Sequence, residues 1–452
     1  MSTISIIDPV TRLEGHLKIE LEISQNQVMN AKVKGMLYRG FESILRGQAP
    51  ENAPLITQRI CGVCPVSHGQ ASIQALENVS GWIPDINERH VRDLILGANF
   101  IQSHILHFYL LSLMDFTPGP NLSPWNPSWD VDLRPGLEGV MQNLPAAVEA
   151  RRQAHEMGAI FCGKMPHAAS YAAGGTTAKI TSKKVEQFKN LLSSIIEFIE
   201  TRYIPDVETL QAVYPDYYQI GVGPENLLAF GAFHQDDNTL LFQGGTMQNN
   251  EIQPLNSFAL ESISEHVTNS WYAGHESLSP RYSETIPEYP KEGAYSWVKA
   301  PRLFDQPFEL GPLARMKINN LYSGGISTMD RHMARSREAL VIAKQMDLWL
   351  ENISGGTGHD TGYAQAAGFG LGLTEAPRGA LGHWVTIGED QTIANYQIIT
   401  PTCWNASPKS DDSVNGPLEQ ALIGTYIEDK AQPIEAVRII HSFDPCLACA
   451  IQ

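Results

Sequence analysis

The chain has 452 residues, 43% of them apolar, and a formal net charge of −17 from 32 Lys and Arg against 49 Asp and Glu. That length supports a large core, the lack of long polar or low-complexity runs excludes a disordered or fibrous protein, and the acidic balance excludes a nucleic-acid backbone as partner. Six cysteines are too few for a disulfide framework in so long a chain.

The first residues, Met1 to Pro9, lack a charged segment followed by an apolar one, so no secretory signal is expected and the expected location is cytoplasmic. Residues 4–35 place Leu17, Ile19, Leu21 and Ile23 at spacing two around a Gln25-Asn26-Gln27 turn, which predicts a short β-hairpin. Residues 87–115 repeat apolar positions at helical spacing without an interrupting proline and predict a long central helix. Asn99, Gln102, Ser103, His104 and His107 within it argue for a buried helix and against a membrane span. Residues 117–135, rich in proline and tryptophan, predict an ordered surface loop. Helical patterns return at 145–161, at 183–203 behind a Ser182 cap, and at 329–353, whereas 205–300 reads as irregular β and loop. The expected fold is α+β and helix-dominated, a central long-helix bundle with small peripheral β-sheets.

Four cysteines form two CxxC pairs, Cys61/Cys64 and Cys446/Cys449, and leave Cys162 and Cys403 single. Four thiolates suit zinc, an iron–sulfur cluster or another soft transition-metal centre, and spacing alone does not choose. A structural zinc site closes compact modules, and a chain with ample core gains little from one. The flanks also carry proton-transfer candidates, Glu14, His16, His68 and Asp444, which a structural ion does not need. Because the two pairs stand near opposite ends and must meet, residues 1–452 are expected to form one interlocked domain.

Arg59-Ile-Cys-Gly-Val-Cys64 with His68, and Asp444-Pro-Cys-Leu-Ala-Cys449, resemble the paired signatures of nickel–iron hydrogenase large subunits. Leu13-Glu-Gly-His16, Arg39-Gly-Phe-Glu42, the His104 to Tyr109 segment, Gly163 to His167, Glu375 to Trp384 and Pro401 to Asn405 resemble further family segments in family order. The resemblance implies the family's large-subunit fold and heterolytic, reversible H2 cleavage. Cys61, Cys64, Cys446 and Cys449 would ligate nickel, with Cys64 and Cys449 bridging to an iron that carries CO and cyanide. Cys446 would receive the proton and Glu14 would relay it outward. Arg378 would lie over the metals and approach one cyanide, with Pro377 among the cofactor contacts, and Thr402 would donate to the other. His68 would hydrogen-bond a bridging sulfur, and Asp444 would stand beside the site. Ser103 departs from the pattern, since many members carry a carboxylate there.

A magnesium site is implied at Glu42, the carbonyl of Ile398 and the C-terminal residue, here Gln452 where the family usually has histidine. Only Cys162 and Cys403 remain for an iron–sulfur cluster, too few, so electrons are expected to pass to an iron–sulfur small subunit. Maturation proteins are implied, with a C-terminal endopeptidase unless the chain is naturally short. No direct membrane span is expected, any membrane association being through partner subunits. The alternatives are a hydrogen-sensing subunit of low turnover and a respiratory-complex relative; intact CxxC pairs argue against the latter.

Overall fold

The computed structural model describes residues 2–118, 130–274, 277–353, 355–359 and 363–451. Most of the 117–135 loop and Gln452 therefore lie outside the described residues.

The N-terminal alternation forms an antiparallel sheet, with β1 (Thr3–Val10) added to the expected hairpin of β2 (Leu17–Ser24) and β3 (Gln27–Gly35). The inward residues of β2 are fully buried, as period-two patterning demands. The chain then enters α1 (Pro65–Ser80), which starts with proline at its first position, where a missing N–H costs nothing.

The long central helix is α2 (Ile86–Leu106), capped by Asp85, whose carboxylate accepts from Glu88 N–H at 2.8 Å. It continues as a π-helical stretch, His107–Ser112, and a 3-10 turn, Leu113–Asp115. The whole run is apolar enough to cross a membrane, yet 83% of its most apolar window is buried inside the protein, as a core helix requires. Helices α3 (Leu144–Cys162) and α4 (Ser182–Phe198) follow the expected patterns. The cap of α4 is Thr181 rather than Ser182: Thr181 is extended and its hydroxyl accepts from Lys184 N–H, while Ser182 is already helical.

Part of the 205–300 expectation is corrected. Helix continues through a π-helical turn, Ile199–Tyr203, into α5 (Ile204–Val213). Pro205 occupies the first turn of that segment, where its missing N–H is tolerated. A 3-10 turn, Pro215–Tyr218, and a short helix, Ser257–Glu261, also interrupt that stretch, and short strands and loops fill the rest of its described residues as expected. Helix α6 (Pro312–Ile318) is short, and α7 (Thr328–Asn352) is the 25-residue partner of α2, opened by a capping box between Ser327 and Asp330. One large apolar cluster joins α2, α3, α4 and α7.

An antiparallel sheet of β4 (Gly368–Ala376), β5 (Gly379–Ile387) and β6 (Ile393–Ile399) covers α1. At Gly372 any Cβ would fall 1.9 Å from the Ala71 carbonyl oxygen, so this strand reaches the helix backbone directly. The chain ends with α8 (Pro401–Asn405), α9 (Ile434–Ser442) and α10 (Leu447–Ala450). A second apolar cluster joins the N-terminal sheet to α9 and α10, and a third encloses all four paired cysteines.

Candidate metal centre

The first cysteine pair lies between a 3-10 turn, Gln58–Ile60, and α1, with Cys64 as the residue before Pro65. The Cys61 sulfur accepts the N–H groups of Val63 at 3.2 Å and Cys64 at 3.3 Å, which curls the loop around it. Asn99 and Gln102 of α2 both donate to the Val63 carbonyl, at 3.0 and 2.9 Å, and pin the loop from the bundle side.

The second pair follows α9. Asp444 takes a left-handed conformation, φ 53°, that ends the helix, and Cys446 directly precedes α10. A backbone bridge joins Glu14 to this turn: the Glu14 carbonyl accepts Leu447 N–H at 2.7 Å and Ala448 N–H at 3.2 Å. Gly15, φ +87°, is required there, because a Cβ would stand 2.6 Å from the Ala448 nitrogen. Arg39 staples the two pairs, donating to the carbonyls of Ile60, Arg59 (3.0 Å) and Ala448 (3.3 Å).

The four sulfurs converge. Cys61 and Cys446 approach to 3.5 Å, Cys64 and Cys449 to 3.3 Å, and Cys446 and Cys449 to 2.9 Å. All four are buried and their Sγ atoms lie within 4.8 Å of one another. Hydrogen bonds from Cys446, Cys449 and Cys64 lower the Cys61 pKa well below a free thiol, whereas burial pushes Cys449 well up. The donor set is soft and close enough to embrace a transition metal.

Arg378 is buried at the tip between β4 and β5 and faces Asp444, donating from Nε to the backbone carbonyl at 2.8 Å and from Nη2 to Oδ1 at 2.9 Å. Burial opposes its charge, but Asp444 and the neighbouring sulfurs of Cys446, Cys64 and Cys61 outweigh it and hold the guanidinium protonated. Its Nη1 has no partner among the described residues, so the buried fork has a donor left for an acceptor at the cysteine cluster. Burial raises the Asp444 carboxyl, opposed by Arg378 and Arg335. Thr402 accepts Cys446 N–H at 3.1 Å and so fixes the second pair. Pro377 is buried beside Arg378.

Glu14 is half-buried, and burial followed by the negative Cys61 raises its pKa. Its carboxylate is the nearest group to the space above Gly62, 3.9 Å from an ideal Cβ, within the first cysteine loop. His68 is buried, its Nδ1 3.2 Å from His383 Nε2, and burial lowers its pKa to about 4. His383 in turn meets the Tyr396 hydroxyl at 2.8 Å, a chain that the sequence did not announce. His16 is not brought to the cysteines; its ring pairs with Asp8 at 2.8 Å on the N-terminal sheet. Ser103 is fully buried, and its hydroxyl has no partner among the described residues. Arg39, Asn99 and Gln102 are further residues that hold this site and that no spacing rule singles out.

Glu42 and Ile398 also meet, but through Ile398 N–H donating to Glu42 Oε1 at 2.8 Å. The other oxygen accepts from Thr285 and stands 3.3 Å from Lys299 Nζ. Lys299 also contacts Glu265 at 3.0 Å, and burial raises Glu265 to about 7. A cavity of about 10 Å³ lies among Glu265, Lys299, Ile398 and Ala450, room for one water-sized particle.

Comparison with known proteins agrees with this geometry. The nickel-dependent hydrogenase family profile matches residues 39–122, 137–325 and 317–452, and a HoxL-like profile matches residues 4–34. The periplasmic [NiFeSe] hydrogenase large subunit of Desulfomicrobium baculatum is 39% identical across 98% of this chain and 94% of that protein. Hydrogenase-2 large chain of Escherichia coli (strain K12) is 30% identical across 100% and 97%. The Ni-Fe-Se hydrogenase structure from D. vulgaris Hildenborough superposes with a TM-score of 0.94 at 38% identity over the full length of both chains. The fold is thus that of hydrogenase large subunits, helix-dominated with small sheets, and the chain belongs to the nickel-dependent hydrogenase family as a large subunit.

Proposed function

We propose that this chain is the catalytic subunit that cleaves H2 reversibly and heterolytically at a nickel–iron centre held by Cys61, Cys64, Cys446 and Cys449. The observation that carries the reading is the convergence of four buried thiols beside a buried Arg378, one of whose donors has no partner among the described residues, and a half-buried glutamate. The soft donor set fits nickel and iron, and the free Arg378 N–H fits a cyanide nitrogen on the iron. A nickel–iron group with CO and cyanide, when bound, supplies the electrophile that polarises H2.

The chain's own residues handle the proton. Cys446 Sγ takes it, and the Glu14 carboxyl carries it outward, its raised pKa bringing it closer to that of a thiol. Arg378 orients and keeps its charge, Asp444 holds Arg378, and Thr402 and His68 steady the ligand loops, with Pro377 closing the same face. The D. baculatum and D. vulgaris relatives are named for selenium as well, whereas this chain offers sulfur at every CxxC position.

Each H2 releases two electrons, and Cys162 and Cys403 do not suffice to bind a cluster. An iron–sulfur small subunit is therefore the proposed acceptor, with maturation proteins loading the metals and an endopeptidase acting where the C-terminus is longer. One interlocked domain is part of the same proposal, supported by the staple at Arg39 and the bridge at Glu14. Magnesium at Glu42 and the Ile398 carbonyl belongs to the same proposal: the carboxyl groups of Glu42 and Glu265 gather around Lys299 there, and Gln452 is the remaining candidate ligand. Cytoplasmic location is proposed too; the D. baculatum relative is named as periplasmic, and cell fractionation decides.

Metal analysis with infrared spectroscopy of the matured complex tests the reading. Nickel, iron and CO and cyanide stretches are expected, and their absence refutes it. Glu14→Gln is expected to keep the metals and suppress hydrogen/deuterium exchange; unchanged exchange removes Glu14 from the proton route. Slow H2-driven dye reduction by the wild-type complex would identify a hydrogen-sensing subunit instead.

A further inference from the structure

Arg378 stands at the tip of a two-residue turn, since Ala376 pairs with Gly379 across the β4–β5 hairpin. Tips are the most mobile part of a hairpin, and an arginine that must address a fixed group needs its backbone held. Arg315 on α6 supplies that hold. It is fully buried, and it donates from Nη1 to the Ala376 carbonyl at 3.0 Å and from Nη2 to the Pro377 carbonyl at 3.0 Å.

The guanidinium is itself gripped from two sides. Nε and Nη2 meet Glu338 at 2.6 and 2.8 Å, and Nη1 meets Glu375 at 2.6 Å. An arginine has five N–H donors in one plane, and here each has its own acceptor. Glu338 is anchored in α7 and also pairs with His104 Nε2 at 2.8 Å, tying the clamp to α2. The other oxygen of Glu375 accepts Phe230 N–H at 2.7 Å. Stability alone does not call for such an arrangement, because a buried ion triad is replaceable by apolar residues at little cost.

We propose that Arg315 is a positioning residue, a saturated clamp that fixes the Ala376–Gly379 tip and thereby aims Arg378 at the cysteine cluster. The proposal rests on the reading of Arg378 given above. A double-mutant cycle in the matured complex tests it, reading H2-driven dye reduction. Arg315→Lys keeps the charge but brings three donors to five acceptors. Its kcat is expected to fall by about tenfold or more, with the KM for H2 unchanged. In an Arg378→Lys background the same change is expected to cost less than about twofold, because the aim no longer matters.

Independent, multiplying losses would overturn the proposal, as would a single variant with wild-type kcat. Glu338→Gln keeps the shape and serves where Arg315→Lys does not accumulate; it is expected to show the same non-additivity at smaller amplitude, and additive losses count against the clamp. Amide hydrogen exchange at Arg378 and Gly379, followed in the complex without H2, is expected to accelerate in Arg315→Lys, and unchanged exchange refutes the clamp. That readout does not depend on H2 as substrate, so a wild-type complex inert to H2 would defeat the functional reading without deciding this one.

Discussion

Replacing Arg378 with lysine retains the charge and removes the fork. The native side chain makes two bonds to Asp444, one to its carbonyl at 2.8 Å and one to its carboxylate at 2.9 Å. An ammonium replaces one of these with comparable geometry, so one charge-assisted hydrogen bond is lost, about 1.5–3 kcal/mol. If that loss falls on the transition state, at about 1.4 kcal/mol per tenfold, kcat drops by roughly 10- to 150-fold. Because Asp444 keeps a counter-charge, the variant escapes the about 3–5 kcal/mol cost of stripping one partner from a buried pair, and it should fold and hold its metals. The assay is dye reduction at saturating H2 with nickel and iron measured in the same sample. Turnover within about twofold of wild type would show that the fork geometry is dispensable, and loss of metals together with turnover would make its role one of assembly.

Glu419 is fully buried, accepts from Tyr295 and Val33, and burial lifts its pKa from 4.5 to about 7. A raised carboxyl contributes stability below its unfolded pKa and loses it as pH climbs towards 7, up to about 3 kcal/mol. Glu419→Gln should therefore flatten the stability profile between those values, and parallel profiles by chemical denaturation would refute this. Gly15→Ala is expected to push the Glu14 bridge off Leu447 and Ala448, costing about 1–3 kcal/mol and lowering nickel and iron content; full metal occupancy would contradict it. Metal uptake by the free chain should release protons and weaken in acid, since burial holds the Cys449 thiol protonated, and a pH-stat trace without proton release would refute that. Arg39→Met, which unties Ile60 and Ala448, is expected to reduce metal retention on dialysis more than it lowers the melting temperature.

The long helices were legible because their apolar period persists for many turns, as in α2, α3 and α7. Other elements hid for identifiable reasons. α1 buries Ser67, His68, Gln70 and Ser72, so its inward face reads as polar. β5 is buried on both faces and loses the alternation that marks a strand. The helix over 204–213 lies where the sequence shows no clear period, and Pro205 fits it only because it falls in the first turn. At the site, the cysteine pairs announced a metal by themselves, but the choice of metal and the parts given to Arg378 and Thr402 came through family resemblance. Arg315, Glu338 and Glu375 stayed invisible, because the pairing of charges 23 and 60 residues apart is a property of the fold and not of any local pattern. The capping expectation at Ser182 failed by one position, since Thr181 offers the same chemistry one residue earlier.

The meeting of Cys61 with Cys446 joins residues 385 positions apart, with almost the whole polypeptide in between. Closing a loop of that size costs about 5 kcal/mol in chain entropy. During synthesis the first pair of thiols must wait, exposed to whatever metal or oxidant is at hand, until Cys446 has been added 385 residues later. A chain built this way cannot acquire its centre early, and a nick between the two ends leaves the apolar cluster and the Glu14 bridge to keep the fragments together.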